Sequence, residues 1–139
     1  MTTTLKNMRP FLLLTDIGFL LYWSVSLLVL AGINIVPKQY LFNDYENPIV
    51  QAWNWSFFPI DILLSVCGLL GLRLYARDHR AGFPLLTFSL ALTFCAGLMA
   101  IAYWTLRLEF DPLWWTPNLA LMAWPCIFLP KLWREYLQG

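Results

Sequence analysis

The sequence predicts an all-α membrane protein, a bundle of four transmembrane helices, and three observations carry that prediction. First, 60% of the 139 residues are hydrophobic and 12% are charged, against about 25% charged in a typical soluble domain. Second, the apolar residues gather into four stretches, 11–33, 53–74, 83–105 and 113–133. Each is close to the roughly 20 residues that a helix needs to cross a ~30 Å hydrocarbon core. Third, the basic residues are segregated. Lys6, Arg9, Arg73, Arg77, Arg80, Lys131 and Arg134 fall on one side of the four stretches, and Lys38 and Arg107 on the other. Positive-inside logic then puts both termini in the cytoplasm. One domain, 1–139, uses the whole chain.

The first stretch is long, lacks a small-residue cleavage site and is followed by more apolar segments, so it reads as a retained helix rather than a signal peptide. The loop after it, 34–51, is the longest and carries Asp44 and Glu46. Asn47-Pro48 offers a capping side chain and a first-turn proline, so the second helix is expected to start ahead of the bilayer core. Gly82 and Pro84 open the third stretch. Asp111-Pro112 gives the fourth the same start signal as the second. Ser89, Thr93 and Gly97, with Ala96 and Ala100, give the third stretch small residues at helical spacing, which points to close packing and not to a site.

Several functions are excluded by composition. A net charge of +1, without a basic stripe, argues against a nucleic-acid partner. Cys67, Cys95 and Cys126 fall singly in different stretches and read as buried apolar filler; no C-x-x-C suggests redox chemistry. His79 is the one histidine and lies in a charged loop, so neither a metal nor a haem site is expected, and no cofactor.

Two aspartates carry the functional argument. A carboxylate at the middle of a transmembrane helix costs on the order of 3 kcal/mol, so it is expected to face a partner or a cavity. Asp61 lies eight residues beyond Trp53, near mid-membrane, and shares a helical face with Asn54, Phe58, Ser65 and Gly68. Asn118 enters the fourth stretch from the same side as Asn54, at a comparable depth. Pro117 and Pro125 disturb that helix and free carbonyls to line a cavity. Asp16 is shallower, within reach of Lys6 or Arg9. The expected binding set is Asp61, Asn118 and Asn54 with Asp16 as an outlying member, walled by Trp53, Trp55 and Phe58; no catalytic set is assigned. Plain interhelical hydrogen bonding by Asp61 and Asn118 is the competing, purely structural reading.

Two resemblances bear on this. Residues 15–131, through TDIGFLLYW, NPIVQAWNWSFFPID, LTFCAGL and WWTPN, resemble the YvaD-like family of uncharacterised bacterial membrane proteins. That likeness implies a bacterial plasma (inner) membrane and no activity. More distantly, Ile35-Val36-Pro37-Lys38-Gln39-Tyr40, then Asn47 to Gln51 and a tryptophan eight residues before an acid, is similar to the EXPERA group, which includes the sigma-2 receptor and emopamil-binding protein. The resemblance implies four helices, cytoplasmic termini and an intramembrane ligand cavity. It places the second-helix acid at Asp61 and the fourth-helix asparagine and proline at Asn118 and Pro125. It departs at Phe57, where the isomerase of that group has a histidine, and at Ala31, where the sigma-2 receptor has its first-helix acid. An isomerase needs both a proton donor and a base, so enzymatic activity is not expected. The leading expectation is a protein that binds a small hydrophobic or amphiphilic ligand, a lipid or isoprenoid-like compound, around Asp61. The alternatives are a proton-coupled transporter acting as a homodimer through Asp16 and Asp61, and an accessory subunit of a larger complex.

Overall fold

The apolar stretches are helical, apart from 31–33 and Phe57, in the computed structural model, which describes residues 3–138. Helix α1 spans Thr3–Leu30, and a 3-10 turn, Lys38–Tyr40, interrupts the following loop. Helices α2 (Pro48–Ser56) and α3 (Phe58–Tyr75) form one path broken at Phe57. Helices α4 (Gly82–Leu106) and α5 (Pro112–Gln138) complete four antiparallel rods. No strand occurs among the described residues.

The break at Phe57 has a covalent cause. Pro59 has no N–H to return to Trp55, and the Phe57 N–H bonds to the Asn54 carbonyl at 3.1 Å instead. At the start of α2, the Asn47 side chain accepts from the Ile49 N–H at 3.0 Å; at the start of α5, Asp111 accepts from Leu113 at 2.9 Å. Three helices end alike. The residue after the last turn takes positive φ at Gly32 (87°), Asp78 (54°) and Leu108 (56°), while the next N–H reaches back five residues to Leu28, Leu74 and Trp104 respectively.

Three paths, Thr3–Leu30, Pro48–Tyr75 and Gly82–Leu106, are long and apolar enough to cross a membrane. The fourth expected span, 113–133, forms a helix of sufficient length but is less apolar. Pro117, Pro125, Pro130, Asn118 and four tryptophans dilute it.

Helix α4 packs along both α3 and α5, and α1 packs on α3. Three apolar layers stack along the bundle. The lower layer, at the end holding both termini, joins Leu5, Met8 and Leu12 to Leu86, Leu90, Trp124 and Phe128. Trp23, Phe57, Leu64, Ala96 and Ala100 form the middle layer. Val29, Leu41, Phe42, Val50 and Trp104 form the upper one, under the long loop. That loop is fastened by Arg107, which pairs with Asp44 at 2.9 Å and Glu109 at 2.7 Å, while Asn43 donates to Glu109 at 3.2 Å. The hydrogen bonds from Arg107 and Asn47 hold the Asp44 carboxyl below the usual range, and those to Tyr103 and Asp44 raise the Arg107 guanidinium.

Candidate functional site

Asp61 is 3% exposed in the first turn of α3. Its Oδ2 accepts a hydrogen bond from Trp23 Nε1 at 2.9 Å, across from α1. Its Oδ1 is buried without a partner. A carboxylate with one oxygen fixed and one free is an oriented acceptor, provided something can reach the free oxygen.

Asp61 borders a cavity of about 600 Å³ bounded by α1, α2, α3, α4, α5 and the loop above, within the usual range of small-molecule pockets, with Oδ1 itself just beneath the cavity surface. Leu41, Phe42, Trp53 and Trp104 roof it, and Phe11 and Trp124, stacked at 6.3 Å, lie at its lower end. Ala96 and Ala100 form its α4 wall, so the small-residue stripe expected only to pack also makes room for the cavity. Along the α1–α5 seam the lining includes Leu14, Gly18, Pro117 and Ala120, all exposed on the outer face. That seam is the side opening.

Four residues expected at a site line this space: Asp61, Asn118, Asn54 and Trp53. Asn54 accepts from the Tyr22 hydroxyl at 3.1 Å through Oδ1, leaving its Nδ2 buried and unpartnered. The Asn118 amide donates to the Trp114 carbonyl at 2.7 Å. Trp53 stacks on Tyr103 at 3.8 Å, which steadies the roof.

Phe58 and Asp16 lie elsewhere. Beyond the break at Phe57, the Phe58 ring packs on Trp23 and Trp55, at 5.1 and 5.9 Å, behind the lining. Asp16 makes no ion pair with Lys6 or Arg9. It is 1% exposed, turned inward onto the bare Cα of Gly68 beside the Ser89 hydroxyl, with neither carboxylate oxygen partnered. Ser89 itself donates to the Leu64 carbonyl at 2.8 Å. Asp16 therefore marks a second polar node, set into the α1–α3–α4 contact.

The cysteines divide: Cys67 is buried as expected, whereas Cys95 and Cys126 are exposed on the outer faces of α4 and α5. No metal-binding cluster occurs among the described residues.

Sequence reasoning missed Trp23, Tyr22 and Trp124. Trp23 fixes Asp61, Tyr22 fixes Asn54, and Trp124 holds an unpartnered Nε1 at the lower end of the cavity. The available signal was depth. An indole well inside an apolar stretch, away from the interfacial belt, needs a hydrogen-bond partner.

A family model described as "Family of unknown function (DUF5360)" matches residues 8–138. A protein of Bacillus subtilis (strain 168) described as "Uncharacterized protein YvaD" is 43% identical over 132 residues, covering 94% of this chain and 95% of the relative. No solved structure matches the chain.

Proposed function

The chain belongs to the DUF5360 family of unknown function, and from that premise we propose that it is a multi-pass bacterial plasma-membrane protein that binds a small hydrophobic or amphiphilic ligand around Asp61. The observation that carries this reading is a buried aspartate, one carboxylate oxygen unpartnered, in the lining of a cavity of about 600 Å³. An intramembrane acid costs too much to be left without a role, and one facing a cavity is matched by something that enters it. The apolar lining and the side opening support entry from the lipid phase.

The proposal includes α5 as a fourth crossing and cytoplasmic termini. Both rest on the distribution of lysine and arginine and on the length of α5. It also includes an EXPERA-like arrangement, which rests on the motif preceding Asp61. In this reading the Asp61 carboxylate orients the polar end of the ligand, with Asn54 and Asn118 above and beside it.

Mass spectrometry of lipids that co-purify with the gently solubilised protein tests the proposal. A defined species retained by the wild type and lost from Asp61→Asn is expected. The same lipid profile from both proteins, matching the bulk membrane, would overturn it.

A second reading, a proton-coupled transporter working as a homodimer, draws on Asp16, whose carboxylate is buried and unpartnered away from the cavity. It uses Asp61 as the other protonatable group, and proteoliposome flux that survives Asp16→Asn and Asp61→Asn together would remove it.

A further inference from the structure

Of the two buried aspartates, Asp16 is the one that takes no part in the ligand cavity. Both of its carboxylate oxygens are buried without a hydrogen-bond partner, and no basic side chain among the described residues pairs with it.

Its surroundings are rich in oxygen. Asp16 Oδ2 and Ser89 Oγ meet over the bare Cα of Gly68, the hydroxyl 2.7 Å from the point a Cβ would occupy and the carboxylate oxygen closer still. Any other residue at 68 would fill that space. Ser65 stands one turn along the same face of α3, fully buried, and its hydroxyl also has no partner. The Ser89 proton is committed to the Leu64 carbonyl at 2.8 Å, so toward Asp16 its oxygen acts only as an acceptor. Asp16 Oδ1 and Oδ2, Ser65 Oγ and Ser89 Oγ therefore all carry lone pairs that accept nothing.

This donor set discriminates among occupants. Ionised and alone, the carboxylate would be an unbalanced charge in a dry interior, which is prohibitively costly. A single proton would neutralise it, but a proton joins only two atoms and leaves the remaining oxygens as they are. A divalent ion would bring one charge too many, and no cluster of three acidic, His or Cys ligands occurs among the described residues. A hard monovalent ion cancels the one charge and, as hard cations do, takes several oxygens at once. Stripped of its water it is small, and it needs room among the oxygens rather than a cavity of its own.

We propose that Asp16, Ser65 and Ser89 form a site for one dehydrated alkali cation of sodium's size, which ties α1 to α3 and α4. The site is separate from the ligand cavity, and the inference does not depend on what that cavity binds. Trp23, which fixes Asp61, lies two turns along α1 from Asp16, so an occupied site also holds α1 in register with α3.

The test is reversible unfolding of the full chain in detergent micelles, with sodium chloride exchanged for choline chloride at constant ionic strength. It is run at about pH 9, well above the ordinary carboxylate range, where protons compete least. Choline is too large to enter the node. The unfolding constant of the wild type is expected to fall about tenfold as sodium rises to about 300 mM, by mass action on the folded state. Asp16→Asn keeps the shape without the charge and should not respond to the exchange. Ser65→Ala should change sign between the two salts. In choline it is expected to be at least as stable as the wild type, because it deletes a hydroxyl that has no partner; in sodium it should be less stable, because it deletes a ligand. A wild type indifferent to the exchange overturns the proposal and leaves Asp16 to a proton. A sodium response that survives Asp16→Asn overturns it by placing the ion elsewhere. Should Asp16→Asn fail to fold, Ser65→Ala decides, and a sodium response equal to the wild type's overturns the site.

Discussion

Replacing Gly97 by alanine probes the contact that sets the width of the cavity on its α4–α5 side. A Cβ at this position would stand 2.6 Å from the Asn118 carbonyl oxygen and 3.0 Å from Leu121 Cβ and Met122 Cγ. All three atoms belong to one stretch of α5, and the nearest is backbone, so no rotamer change relieves the clash. Ordinary contact begins near 3.4 Å, so α5 must withdraw by roughly 0.8 Å in a region packed to interior density. Overpacking of this kind costs about 1–3 kcal/mol, and the better helix propensity of alanine offsets about 1. Gly18→Ala supplies the control: the same chemical change in mid-helix, where nothing lies within 4 Å of the new methyl. It is expected to be neutral or to stabilise by up to about 1 kcal/mol. The stability difference between the two variants, about 1–3 kcal/mol against Gly97→Ala, isolates the clash. Reversible unfolding in mixed micelles, followed by circular dichroism and tryptophan fluorescence, measures it. Equal shifts for the two variants would refute the reasoning, since they would mean that α4 and α5 do not meet at Gly97.

Trp23→Phe removes the donor to Asp61 Oδ2 and is expected to cost about 1–3 kcal/mol, read in the same unfolding assay. Leu108 is 78% exposed at φ 56°, so Leu108→Gly relieves a left-handed backbone without loss of packing and should stabilise by about 1 kcal/mol. The lowered Asp44 carboxyl gives a pH dependence of definite sign. Its contribution to the loop clamp is fully present above the ordinary carboxylate value near 3.9 and is lost as pH falls through its lower folded value. Exchange protection of loop 33–47 should therefore persist to about pH 4 and then fall, with Asp44→Asn abolishing that dependence. A bilayer-permeant maleimide should label Cys95 and Cys126 and spare Cys67 until the chain unfolds, as peptide mapping would show.

Much of the frame is written in local chemistry. Asn47-Pro48 and Asp111-Pro112 announce their helix starts because capping needs only a side-chain oxygen and a missing N–H within three residues. The inward facing of Asp61 was equally legible, since an acid in an oily stretch has few affordable surroundings. The break at Phe57 had its signal in Pro59, but one proline inside a continuous apolar run does not tell a bend from a stop. Leu108 gave none, because leucine has no preference for positive φ. Asp16 was misplaced for a different reason. Its burial depends on Gly68 and Ser89 standing opposite it, and that pairing of three helices leaves no mark on any one of them. The partnerships of Trp23 with Asp61 and Tyr22 with Asn54 are likewise products of the packed register between α1 and the α2–α3 path.

The prolines of α5 have a mechanical consequence. Pro117, Pro125 and Pro130 carry no N–H, so the carbonyls of Leu113, Leu121 and Cys126 lose their usual bond from four residues ahead. Of the rods around the cavity, α5 is thus the one whose backbone ladder is repeatedly interrupted, and it borders the seam where Leu14 and Gly18 stand open. A guest wider than the resting slot would be met by a compliant staircase on one flank and a stiff post, α1, on the other. Tolerance for bulk should accordingly be greatest toward Pro117 and Ala120 and least toward Trp23.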